Sequence, residues 1–134
     1  MKLTPLTVDD VQTQWDWLRA GLLLVIAKTK AKYRPEDVYL RLRTDTAWAY
    51  AIDDPAGFVV FTREYDHDGL VLFIWIMWTP PNSIRWRNDE MYAELERIAR
   101  ECKAKRIRMQ SPRTGWEDEP FFTRVAFVYE HELT

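Results

Sequence analysis

Gly69-Leu-Val-Leu-Phe-Ile-Trp-Ile-Met-Trp78 places nine consecutive apolar residues behind a glycine. A strand with one wet face alternates apolar and polar residues. An unbroken apolar run therefore reads as a strand covered on both faces. It is too short to cross a bilayer as a helix, which needs about 20 residues. Turn chemistry brackets it, with Asp66-His67-Asp68-Gly69 before it and Thr79-Pro80-Pro81-Asn82-Ser83 after it. An amphipathic helix pattern follows. Strand, loop and helix in this order often place a ligand at the end of the strand.

Working outward, residues 58–65 and 46–52 read as two more strands, joined by the strong turn Asp53-Asp54-Pro55-Ala56-Gly57. With the central strand they make an antiparallel meander. Residues 2–6 form a short strand that Pro5 confines to an edge. Thr7 caps a helix over residues 8–30, with Asp9 and Asp10 where the helix dipole favours anions. Gly21 either weakens that helix or lets something pack close. Lys28, Lys30 and Lys32 read as dipole-favoured charges on a solvated face. Pro35, followed by Glu36 and Asp37, opens a second helix ending near Arg43.

Downstream, Asn88 caps a helix whose stripe is Met91, Leu95, Ile98, Ala99 and Cys102. Residues 105–110 follow as a strand, and a strand-helix-strand unit makes it parallel to the central one. Residues 111–115 are a loop, 116–123 a short helix or irregular, and 124–133 a final strand with Val125, Phe127 and Tyr129 on one face. The expected architecture is a single α/β (α+β) domain over residues 1–134. Its mixed, largely antiparallel sheet has about six strands, with helices on both faces, in the order β-α-α-β-β-β-α-β-(α)-β.

Composition narrows the function classes. The 134 residues suit one domain. Seven tryptophans and 14% aromatic residues imply a well-filled core or an aromatic contact surface. A net charge of −2 gives no basic field for nucleic acid, and no membrane segment or signal peptide is visible, so a cytoplasmic protein is expected. Cys102 is the single cysteine, which permits no internal disulfide and reads as a small core residue. His67 between Asp66 and Asp68 is explained by the turn, and no metal site is expected. Ser-His-Asp, Cys-His and P-loop arrangements are absent from the sequence.

This order of elements resembles the GNAT fold, that of the Gcn5-related N-acetyltransferases. The densest match is Glu94-Leu-Glu-Arg-Ile-Ala-Arg-Glu-Cys-Lys-Ala-Lys-Arg-Ile-Arg-Met109, which is similar to the family's third helix and fifth strand. The resemblance implies acetyl-CoA held where the fourth and fifth strands splay apart, with its pyrophosphate on backbone N–H groups of a glycine-rich loop. Trp78, Arg85, Arg87 and Asn88 are the cofactor-binding candidates it places there.

Three departures bear on activity. Pro81-Asn-Ser-Ile-Arg-Trp-Arg-Asn-Asp-Glu90 contains no glycine, so backbone approach to a phosphate is hindered, and Asp89 and Glu90 repel one. Arg85 and Arg87 could bind an anion with side chains instead, or lie on a solvated loop. The family's thiolate-protonating tyrosine corresponds to Phe122, which has no proton to give, and its glycine to Ala126. Tyr129 is a substitute under a shifted register. The central strand carries no titratable group, which leaves Glu64 or Asp66 as the nearest carboxylate for a general base.

Ser111-Pro-Arg-Thr-Gly-Trp116 also resembles a segment of small GNAT-like proteins of tailed bacteriophages. It offers Arg113 and Trp116, with Trp86, as partner-contact candidates; Trp116 filling the splay is the other reading. The first expectation is a GNAT-fold protein with a degenerate acetyl-CoA site and no cofactor. It would act as a virion or morphogenesis accessory or protein-binding module, in the producing cell's cytoplasm or in a virion. The alternative is an acetyl-CoA-dependent N-acyltransferase with an atypical phosphate loop.

Overall fold

Thr7 sets the start of the first helix. Its hydroxyl accepts from the Asp10 N–H at 3.0 Å, and the Asp10 carboxylate accepts from the Thr7 N–H at 2.9 Å, a reciprocal cap. The computed structural model describes residues 1–53, 56–80, 88–111, 121–125 and 129–133. In it, α1 covers Val8–Thr13, α2 Trp15–Thr29 and α3 Pro35–Arg43. One continuous helix over 8–30 is the sequence expectation; the chain breaks at Gln14, which has φ −101° and ψ 14°. The Thr13 hydroxyl donates to the Asp9 carbonyl at 2.7 Å, a local bond that bends helices.

The strands are β1 (Leu3–Pro5), β2 (Trp48–Asp53), β3 (Ala56–Asp66), β4 (Gly69–Trp78) and β5 (Arg106–Met109), with α4 (Asn88–Glu101) between the last two. They lie side by side in chain order. The first three pairings are antiparallel and β4–β5 is parallel. The sheet is thus mixed: the short turns after β2 and β3 allow only antiparallel neighbours, β1 joins β2 antiparallel across the α1–α3 segment, and the long α4 crossover returns the chain in the same direction. About six strands are expected and five are found among the described residues. Residues 124–125 and 129–133 are not in a strand. Glu130 and Glu132, which flank His131, each reach Lys32 at 3.5 Å instead of lining a ladder.

The all-apolar β4 is covered on both faces. On one, Leu72 and Ile74 join Val59, Phe61 and the α4 residues Leu95 and Ile98. On the other, Ile76 joins Phe58, Val60 and the α2–α3 residues Leu18, Leu22 and Val38. Gly21 is what lets α2 approach this second face. A Cβ there would meet Phe58 Cε1 at 2.6 Å and the Trp78 ring at 2.9 Å. Of the two readings of Gly21, close packing is the one the fold realises. Cys102 is half-buried against the first face, its thiol donating to the Ala99 carbonyl at 3.4 Å.

Candidate functional site

The two ends of β4 differ. Val71, Leu72, Phe73 and Ile74 pair with Arg106, Ile107, Arg108 and Met109. Beyond Ile74 no β5 partner follows among the described residues. On the other side, Val60 pairs with Ile76 and Phe61 with Ile74, leaving Trp75 as an extra residue. This β-bulge turns Trp75 and Ile76 to the same face and bends the strand at the point where the parallel ladder stops. The last four residues of β4 thus run on past the end of the parallel ladder. Met77, Met109, Phe121 and Phe122 pack on the α4 side of the sheet; Trp75, Trp78 and Tyr33 pack on the other.

The aromatic walls are fixed by mutual contact. Trp78 lies 5.8 Å from Trp17 at 74° and 5.4 Å from Phe58. Trp75 has the Tyr33 ring edge-on at 5.2 Å and the Arg41 guanidinium 5.0 Å from its centroid. Burial raises the Tyr33 phenol above its ordinary value. Across the sheet Tyr92 stacks on Phe121 at 4.3 Å and meets Phe122 at 5.9 Å, edge to face. Phe122 thus packs against aromatic rings and itself carries no proton donor.

The first turn of α4 carries Asp89 and Glu90. The Glu90 carboxylate holds the Met1 ammonium at 2.8 Å. A helix N-terminus favours anions through its dipole, and here carboxylates of the chain itself take that advantage.

The other candidates fall elsewhere. Glu64 pairs across from Val71, four residues from the bulge, which is roughly 13 Å along a strand. Its carboxylate accepts from Arg108 Nη1 at 3.3 Å. Tyr129 is 88% exposed, outside the packed aromatic walls. Asn88 is the first residue of α4. Arg85, Trp86, Arg87, Arg113 and Trp116 lie outside the described residues, as do Ala126 and Phe127. The structure places Trp78 at the exit of β4 and Glu64 beside the first half of that strand, opposite Val71.

A charge network at the far end of the sheet is not evident from sequence. Arg106 grips Asp68 with two nitrogens at 2.8 and 2.7 Å. Arg108 reaches Asp66 at 2.9 Å. Hydrogen bonds from Arg108 and Arg106 hold the Asp66 and Asp68 carboxyls below the usual range. The readable signal is the i, i+2 pair Arg106 and Arg108, which shares one strand face. The turn around His67 thus spends its two carboxylates on arginines, and no group of three potential metal ligands occurs among the described residues.

A second electrostatic element pins β1 to α4. Glu94 accepts from Arg97 Nε at 2.8 Å and from the Leu3 N–H at 2.8 Å. The Arg97 bond comes first among the causes holding the Glu94 carboxyl below its ordinary value. A lowered folded-state pKa means that the ionised form is favoured by the fold. The stability it supplies is present above the unfolded value of about 4.3 and is lost as pH falls through the folded one. Urea midpoints of the wild type are expected to fall between pH 6 and 3, and Glu94→Gln to flatten part of that fall. An unchanged slope in Glu94→Gln would remove Glu94 from the acid response.

No family model matches the sequence, and no curated protein matches it. The fold does have neighbours among solved structures. A probable acetyltransferase superposes with a TM-score of 0.67 at 17% identity, covering 97% of this chain and 100% of that one. A predicted acetyltransferase from Clostridium acetobutylicum, solved with acetyl-CoA, gives 0.69 at 11% identity over 98% and 95%. An aminoglycoside acetyltransferase from an uncultured soil metagenomic sample gives 0.66 at 10% over 99% and 96%. The chain has the GNAT fold.

Proposed function

We propose that this chain is a GNAT-fold protein with a degenerate acetyl-CoA site, acting by binding other proteins as an accessory of a phage virion or of its assembly. The observation that carries this reading is the acidic first turn of α4, where Glu90 is already ion-paired with the Met1 ammonium. A diphosphate placed there meets two carboxylates. The glycine-free sequence 81–90 offers little backbone freedom to offset them. Phe122 in place of a tyrosine agrees with lost proton transfer. The phage assignment rests on the Ser111-Pro-Arg-Thr-Gly-Trp116 resemblance.

The bulge at Trp75 favours a second reading, an acetyl-CoA-dependent N-acyltransferase. In that reading Arg85 and Arg87 take the phosphates, and the strand backbone polarises the thioester carbonyl for direct amine attack. Calorimetry with acetyl-CoA separates the two. No binding heat is expected; a micromolar titration that disappears in Arg85→Ala/Arg87→Ala would overturn the first reading. For the binding role, candidate virion proteins are titrated against wild type and Trp116→Ala. Loss of affinity in the variant is expected, and no partner showing it would count against the role.

A further inference from the structure

The turn after α3 is closed without the side chain at its centre. The Thr44 N–H donates to the Leu40 carbonyl at 3.0 Å, and the N–H groups of Thr46 and Ala47 both donate to the Arg41 carbonyl, at 3.0 and 3.2 Å. Arg41 Nη2 donates to the Thr46 carbonyl at 2.9 Å. Among these residues Asp45 stands at φ 59°, the left-handed position past a helix end that glycine or asparagine fills at least cost. It is also an acid at a helix C-terminus, where the dipole favours cations. Its Oδ1 accepts from Trp48 Nε1 at 2.7 Å, a bond that an amide oxygen accepts equally well. Asparagine would meet each of these local demands, so the negative charge is left over. Among the described residues no cation pairs with it: the Arg63 guanidinium lies over the Trp48 ring at 4.3 Å and that of Arg41 over Trp75 at 5.0 Å.

That charge lies on a cavity. About 230 Å³ is enclosed between the start of α1, the end of α3 and the start of β2, lined by Val8, Val11, Leu42 and Ala47 together with Asp45. Val11, Leu42 and Ala47 are buried, while Val8 is 46% exposed and makes an apolar lip. Sites for drug-sized molecules begin at about 300 Å³, so this one suits a smaller group. It is two strands away from β4, so its occupancy is independent of whether acetyl-CoA binds. A residue that breaks its local rules with no local gain is expected where function requires it.

We propose that the cavity takes a primary ammonium carried on a short aliphatic stem. The stem lies among Val8, Val11 and Leu42, and the ammonium sits on the Asp45 carboxylate. An apolar pocket with one fixed charge at its edge selects this shape: an alcohol of the same length lacks the charge, and a carboxylic acid carries the wrong one. Holding Asp45 to the Trp48 indole fixes the carboxylate before the ligand arrives, which lowers the cost of binding. Either a free small amine or a lysine side chain of another protein carries this chemistry.

The test follows the Trp48 indole N–H in two-dimensional proton–nitrogen spectra of the full chain. Its peak is identified as the one missing in Trp48→Phe. n-Butylammonium is expected to shift it saturably, in the millimolar range for so small a ligand. n-Butanol and n-butyrate at matched ionic strength are expected to bind more weakly. Asp45→Asn keeps the indole acceptor and should weaken n-butylammonium by about fivefold, a modest factor because the carboxylate is exposed. Should that variant not fold, Val8→Ala is used, with an expected weakening of about threefold from the lost stem contact. Nα-acetyl-lysine methylamide separates the two sources. Affinity equal to that of n-butylammonium identifies a protein lysine, and binding of n-butylammonium alone identifies a free amine. No saturable shift with either, equal affinity for n-butanol, or unchanged affinity in the folded variant overturns the proposal.

Discussion

Phe58→Ala is expected to lower stability by about 3–5 kcal/mol, seen as a reduced urea midpoint with little change in slope. Phe58 is 0% exposed. Its ring sits 5.7 Å from Trp17 and 5.4 Å from Trp78, by centroids. Gly21 leaves no side chain between the ring and the α2 backbone. Truncation therefore opens a void that neighbouring residues are poorly placed to fill. Trp17 and Trp78 are each held by the other, and α2 cannot move inward without dragging Leu18 and Leu22 from their own contacts. A loss below about 1.5 kcal/mol would mean that the indoles collapse into the space.

Gly57→Ala is the second large effect, and its cause is the opposite one. A Cβ at Gly57 would fall on the Trp78 carbonyl oxygen and within 3.2 Å of Thr79 Cα. These are backbone atoms, so no rotamer change relieves the overlap. The β3–β4 ladder must open where Phe58 faces Trp78. Overpacking typically costs about 1–3 kcal/mol, and a collision with main chain belongs at the upper end. The displaced segment is the exit of β4, so amide chemical shifts from Trp75 to Thr79 are expected to move while those of α3 stay in place. An alanine variant as stable as wild type would show that the strand ends separate freely.

Much of this fold is legible in the sequence for identifiable reasons. The boundaries of β4 and α3 follow from an unbroken apolar run and from Pro35 with two acids behind it. Both are local signals that agree with the packing. The break at Gln14 is hidden because it depends on the Thr13 hydroxyl choosing the Asp9 carbonyl, and apolar spacing carries no trace of that choice. The expected last strand is not found at residues 124–125 and 129–133: alternation registers apolar positions, not that Glu130 and Glu132 pair with Lys32. The bulge at Trp75 is invisible because a shift in parity leaves no mark in a run where every residue is apolar. The order of elements puts Trp78 at the exit of β4 and Asn88 at the start of α4, where the structure has them. Glu64 lies opposite Val71, since nearness along the chain to β4 says nothing about which end of β4 a residue joins. The tie from Arg97 to Leu3 spans 94 residues, beyond what local spacing can report.

The Trp17–Trp78 contact has an optical consequence. Two indoles 5.8 Å apart and steeply inclined couple their electronic transitions, so the pair should give a paired-sign circular dichroism band. One member sits on the last residue of β4 and the other on a helix. Any molecule that shifts the strand's exit changes the angle between them. The protein thus carries a label-free reporter at the mouth of its own candidate site, readable without knowing in advance what binds there.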